Sequence, residues 1–184
     1  MVSVIGIDIG ARGIAYTVVD GDGKLLDGEV IDLLQSNNYN KTNALVIADR
    51  ILIWLKKYIM PQIEKRRPLI VAIERPFKGK MAIPFGTLYG VLQFYCQDIG
   101  TQIIGVMPGV YKKKLAICRG NYDGNKLAAI AFMMSRELTN IENYQFENQK
   151  HKGDFADAYC LAVYVVNNLL TPNDGISRKR KRSN

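Results

Sequence analysis

One histidine and three cysteines stand among 184 residues, with no Cys-x-x-Cys pair and no cluster joining the two residue types, so the donor sets of ordinary zinc centres are excluded. Cys96, Cys118 and Cys160 are odd in number, far apart and set in apolar surroundings. A disulfide framework is therefore not expected, and the reading is one of reduced thiols in an intracellular protein. No apolar run approaches the roughly 18 residues that a membrane span needs, and the N-terminus carries neither a basic n-region nor a cleavage site. Internal repeats are also absent. One domain over residues 1–170 is expected, followed by a disordered basic tail over 171–184.

What the chain does have is positive charge: 25 Lys+Arg against 17 Asp+Glu, a formal net charge of +8. That excess favours a polyanionic partner, nucleic acid before membrane. The acids matter because they are few and placed with pattern. Val4-Ile5-Gly6-Ile7-Asp8-Ile9-Gly10 has the β-branched composition of a strand buried on both faces, yet carries one carboxylate near its end. An unpaired buried aspartate is costly, so Asp8 calls for a hydrogen-bond network, a cation or a metal; its ordinary alternative is a turn former before Gly10.

Ile14–Val19 reads as a second strand, and Asp20-Gly21-Asp22-Gly23 as a tight turn into a third over Lys24–Ile31. Apolar residues at helical spacing predict a helix from Ala44 to Tyr58, ended or kinked by Pro61. Leu69–Ile73 is a second wholly apolar strand, and it too runs into a carboxylate, Glu74. A right-handed crossover would set it beside the first strand, with Asp8 and Glu74 at corresponding ends. Pro84–Gln97 reads as a helix and Thr101–Met107 as a fifth strand. Arg119–Lys126 reads as a flexible basic loop before a helix from about Lys126 to Leu138. The last strong helix is expected over Asp154–Leu169, with Asp154 and Asp157 three apart in its first turn. The fold class is thus α/β, a five-stranded mixed sheet flanked by helices.

Asp8, Glu74, Asp154 and Asp157 would repel one another if they converged, unless a divalent cation sat among them. Oxygen-only ligands suit Mg²⁺ or Mn²⁺, and a pair of ions about 3.5–4 Å apart can activate water and stabilise the leaving oxygen of a phosphodiester. Each acid also has an ordinary reading: helix capping for Asp154 and Asp157, a surface pair with Arg75 for Glu74. The joint pattern is what points to metal-dependent hydrolysis of a phosphate ester.

The order Gly6-Ile7-Asp8-Ile9-Gly10, Ala72-Ile73-Glu74 and Asp154-Phe155-Ala156-Asp157-Ala158-Tyr159 resembles the RuvC group of Holliday junction resolvases, in the RNase H-like superfamily. The resemblance runs from about Val2 to Leu170. It implies an RNase H-like fold, two Mg²⁺ ions held by the four acids, and a homodimer that nicks two strands of a branched DNA junction. The helix Pro84–Gln97 is where it suggests the dimer surface. It places Phe77 where the family stacks an aromatic on a base at the junction centre, an ordinary core aromatic being the alternative. Pro108-Gly109-Val110-Tyr111-Lys112-Lys113, with Gly120 and Lys126, resembles the family's basic segment, whose lysines contact phosphate. The spacing departs there, leaving Lys112, Lys113 and Lys114 as alternatives. His151 would share the acidic face and orient water or metal if the last helix began early, but Gly153 argues for a loop. The implied location is the cytoplasm of a bacterial or virus-infected cell, with the nucleus as alternative.

Three other functions compete: an RNase H cutting RNA:DNA hybrids or forks, an actin-like ATPase-type phosphotransferase, and a binding-only module. An actin-like protein needs a second domain copy and a second phosphate loop, which the sequence does not contain, and loss of an acid would mark a binding module. The tail residues Arg178, Lys179 and Arg180 would add DNA affinity, serve nuclear import, or simply be solvated. If they touch DNA, deleting Ser177–Asn184 weakens binding most at low salt and flattens the dependence of log K on log salt. A titration between 50 and 200 mM salt, roughly the range over which such contacts are lost, reads this out; an unchanged slope removes the tail from the interface.

Overall fold

The computed structural model describes residues 2–9, 13–32, 44–68, 70–75, 82–136, 144, 146 and 149–170. Three strands open it, β1 (Ser3–Ile9), β2 (Gly13–Asp20) and β3 (Leu25–Asp32), followed by α1 (Ala44–Trp54) and α2 (Met60–Arg66). Then come β4 (Ile70–Glu74), α3 (Ala82–Gln97), β5 (Gln102–Val106), α4 (Pro108–Lys114), α5 (Tyr122–Met134) and α6 (Gln149–Val165). The sheet order is β3-β2-β1-β4-β5, antiparallel within the opening meander and parallel from β1 through β4 to β5. This is the expected five-stranded mixed sheet flanked by helices.

Every residue of β1 is buried because helices cover both faces of the sheet. The two-residue period sorts its side chains: Ile5, Ile7 and Ile9 join Ile51, Leu55, Leu88 and Leu92 of the α1 and α3 layer. Val4 faces the other way, with Ala72 of β4, onto Phe155, Tyr159 and Ala162 of α6. By the same alternation Asp8 and Glu74 fall on the α6 face. Ile7 pairs with Ile73 in parallel register, so the two acids are one step further along adjacent strands.

Gly6 sets how near α6 can come. A Cβ on it would lie 2.2 Å from the backbone oxygen of Ala158 and 3.0 Å from Ala162 Cβ. The small residues Ala158 and Ala162 complete that contact from the helix side.

Three helical elements differ from their expected bounds. Pro61 does not end its helix: residues Leu55–Ile59 widen into a π-turn, in which the N–H of Met60 reaches the carbonyl of Leu55, and α2 continues with Pro61 near its start. A proline there has no N–H to give and would clash with the preceding turn of a regular α-helix; the wider turn relieves both. α5 begins at Tyr122 rather than near Lys126, since Asn121 caps it by accepting from the N–H of Gly124 at 2.6 Å. α6 begins at Gln149, passing through Gly153, and ends in a π-turn over Val166–Leu170. At Gly153 the absence of a side chain lets Lys126 lie over the helix, 3.0 Å from where a Cβ would be.

Among the described residues no helix is long and apolar enough to cross a membrane. Cys96 and Cys160 are buried, and Cys118 is exposed. The β1–α6 contact makes a sharp prediction: Gly6→Ala meets backbone rather than a yielding side chain, and should cost about 3 kcal/mol or more of stability. Urea unfolding of the purified variant measures it, and a loss under about 0.5 kcal/mol, the scale of a neutral surface change, would mean that the helix can retreat freely.

Candidate active site

Asp8 ends β1, Glu74 ends β4, and Asp154 and Asp157 stand in the second and third turns of α6. Their interior position in the helix removes the capping explanation for the two α6 acids. Asp8, Asp154 and Asp157 are all buried. The four acids line one cleft of about 650 Å³, together with Lys112 and Lys126.

The ammonium of Lys126 is the hub. Its Nζ lies 2.5 Å from Asp157 Oδ2, 2.7 Å from Asp154 Oδ1 and 3.4 Å from Asp8 Oδ2. Lys112 Nζ pairs with the other oxygen of Asp157 at 3.0 Å, although its alignment is that of an ion pair rather than of a hydrogen bond. The buried hydroxyl of Tyr111 donates to Glu74. Asp154 Oδ2 is left as a buried acceptor with no hydrogen-bond partner.

Burial raises the Asp8 carboxyl well above its ordinary value; Lys126 pulls it down, while Glu74, Asp157 and Asp154 push it further up. Burial likewise raises Glu74, with Lys112 opposing. For Lys126 burial disfavours the charged form, but the three aspartates outweigh it and the ammonium is strongly held. Lys112 is stabilised in the same sense by Asp157 and Glu74 against its own burial. The cluster therefore demands positive charge, and in this state two lysines supply it. Among the described residues no three His, Cys, Asp or Glu side chains stand as a closed metal-ligating group, and it is the Lys126 ammonium that lies between three aspartates.

The remaining expected residues divide clearly. Of the three lysines on α4, Lys112 faces the acids, while Lys113 and Lys114 are exposed to solvent. Lys126 is not in a loop but inside α5, one turn after the Asn121 cap. His151 is buried within α6 rather than placed in a loop, and it does not line the acidic cleft. Phe77, Arg178, Lys179 and Arg180 lie outside the described residues. Sequence reasoning missed Tyr111 as the partner of Glu74. Its signal is slight, an aromatic one residue before the lysine that faces the site.

No protein-family model matches the sequence, and no curated protein sequence matches it either. Solved structures do. A T. thermophilus RuvC in complex with a Holliday junction substrate superposes with a TM-score of 0.58 at 20% identity, covering 91% of this chain and 96% of that one. The Fowlpox virus resolvase in complex with Holliday junction DNA gives 0.59 at 18% identity, with 92% and 99% covered. The yeast mitochondrial Holliday junction resolvase Ydc2 gives 0.57 at 17% identity, with 89% and 78% covered. The chain has the RNase H-like fold of the RuvC-type Holliday junction resolvases.

The charge balance yields a stability prediction. Lys126→Met leaves three buried carboxylates without their shared cation and should cost about 3–5 kcal/mol near neutral pH. The Asp8 carboxyl has a folded-state pKa above its unfolded value, so the folded state takes up its proton first. The penalty of ionising it is present above the folded pKa and fades as pH falls through it. The deficit of Lys126→Met relative to wild type should accordingly shrink as pH is lowered from neutral, as read by urea unfolding at each pH; a constant deficit would mean that lost packing, not charge, is its source.

Proposed function

We propose that this protein is a metal-dependent, structure-selective endonuclease that resolves four-way DNA junctions, and other branched forms such as forks, by paired phosphodiester nicks. The observation that carries the reading is the convergence of Asp8, Glu74, Asp154 and Asp157 on one cleft of an RNase H-like fold, with two lysines drawn into it. The solved resolvases of the same fold, two of them bound to Holliday junction DNA, support the choice of substrate.

The donor set fits hard divalent ions. All four ligands are carboxylates, one buried oxygen on Asp154 has no hydrogen-bond partner, and three of the acids already surround a cation. Asp8, Glu74, Asp154 and Asp157 would hold Mg²⁺ or Mn²⁺, which supplies Lewis acidity for adding water to phosphorus with loss of a sugar oxygen. The chain's own residues do the rest. Tyr111 orients the Glu74 carboxylate through its hydroxyl. Lys126 and Lys112 balance the acids here, and with metal held by the carboxylates their ammonium groups would be free to neutralise the phosphate at the cut. Lys113, Lys114 and the tail residues Arg178, Lys179 and Arg180 would add contacts to the DNA backbone, which position the substrate without reading its sequence. Phe77 would stack on a base where the junction opens.

Two cuts on one junction call for two active sites, so the working form is a homodimer. The face offered for pairing is α3, where Ile83 and Phe94 are exposed.

Purified wild type and Asp8→Asn are incubated with an immobile four-way junction, a splayed fork, linear duplex and an RNA:DNA hybrid, in Mg²⁺, Mn²⁺ or EDTA. The expected result is paired nicks on the junction in either metal, none in EDTA, and cleavage reduced at least about 100-fold in Asp8→Asn with junction binding kept or tightened. Cleavage retained by Asp8→Asn would sink the metal assignment. Cutting of the hybrid alone would make the protein an RNase H.

A further inference from the structure

Beside the acidic cleft lies a second cavity of about 420 Å³, lined by Tyr122, Asp123, Lys126, Leu127, Ile130 and Lys150. It shares Tyr122, Lys126 and Lys150 with the cleft, so the two are neighbouring compartments with a common wall. Tyr122 is 64% exposed and Leu127 65% exposed, two large apolar side chains left in water at the mouth of a charged site. We propose that this notch binds one unpaired nucleobase of the DNA, that of a nucleotide adjoining the phosphate held in the acidic cleft, with the Tyr122 ring as its stacking face. The assignment rests on the nuclease reading above.

The chemistry of the walls selects that occupant. A nucleobase is a flat heterocycle with an apolar face and a polar edge. The Tyr122 ring, Leu127 and Ile130 supply the apolar surface, and Asp123 is an acceptor for an exocyclic amine. Lys150, present on both compartments, provides positive charge beside the backbone that must link the base to the phosphate. Continuity with the acids argues for the same DNA strand rather than for a separate ligand.

The platform is also preorganised. Tyr122 is the first residue of α5, directly after the Asn121 cap, and the loop before it is tied by Asn125 Oδ1 accepting from the N–H of Arg119 at 2.6 Å. The Lys126 ammonium lies 5.8 Å from the Tyr122 ring centroid. The ring is thus carried on the same helix, one turn from the lysine that joins the aspartates. A base stacked there would be fixed relative to the catalytic acids, which would make the choice of phosphate depend on which nucleotide can unpair. Stacking on an aromatic is tolerant of base identity, in keeping with selection by branch shape.

The test uses the full chain and four-way junctions with the fluorescent base 2-aminopurine at successive positions around the nicked phosphate, in EDTA so that no strand is cut. For wild type, quenching confined to one position next to that phosphate is expected. Tyr122→Phe should keep the quench. Tyr122→Leu should abolish it and lower junction affinity roughly tenfold. Leu127→Asp, an exposed substitution on the far wall, should also abolish it, and an unchanged thermal midpoint in each variant establishes folding. Junction binding and cleavage by wild type with no position quenched, or with a quench that survives both Tyr122→Leu and Leu127→Asp, would overturn the nucleobase site while leaving the nuclease reading intact. Failure of wild type to bind any branched DNA would overturn both.

Discussion

β1 and α6 meet backbone against side-chain-free backbone at Gly6, and the site depends on that contact. With no Cβ at Gly6 and only methyl groups at Ala158 and Ala162, the helix lies close enough for its acids to reach the strand's. Asp157, directly before Ala158, and Asp154, one turn earlier, come to the Lys126 ammonium that also pairs with Asp8. A bulkier residue at the contact would part the two sources of carboxylate.

The same closeness creates an electrostatic debt. Carboxylates buried together raise one another's proton affinity, and burial itself does more than any neighbour to raise Asp8 and Glu74. Lys126 and Lys112 answer that charge in the absence of other cations, each kept ionised by the acids despite being mostly buried. Such a cluster is a poor way to stabilise a fold, because the desolvation of each charge consumes most of what pairing returns.

The sheet was highly legible. β1, β2 and β4 lie within about one residue of the bounds their apolar runs suggest, because a strand buried on both faces leaves a nearly unbroken apolar signature, and β5 does so although only Ile103 and Val106 of it are buried. Helix starts were less legible. α6 begins five residues before Asp154, over a polar stretch containing Gly153, where propensity alone argues against helix. The turns that follow are locked into the core, and the glycine leaves room for the aliphatic stem of Lys126. The start of α5 is obscured for a related reason: Asn121 and Asp123 read as loop residues, whereas Asn121 is a cap. His151 illustrates the cost of such errors, since in the helix it is buried and is not among the residues lining the cleft.

What the sequence determined by itself was the set of four acids and the strands that end on two of them, because burying a carboxylate in an apolar run is a local anomaly that composition and spacing expose. It also determined that both strand acids share a face, since side chains alternate with a period of two. Only the tertiary structure decided that Lys126, far along the chain from Asp8, sits at the centre of those acids, that Lys112 rather than Lys113 or Lys114 turns inward, and that Tyr111 holds Glu74. These are contacts between elements distant in sequence. Their geometry is set by how closely helices pack on the sheet, and no local pattern records that distance.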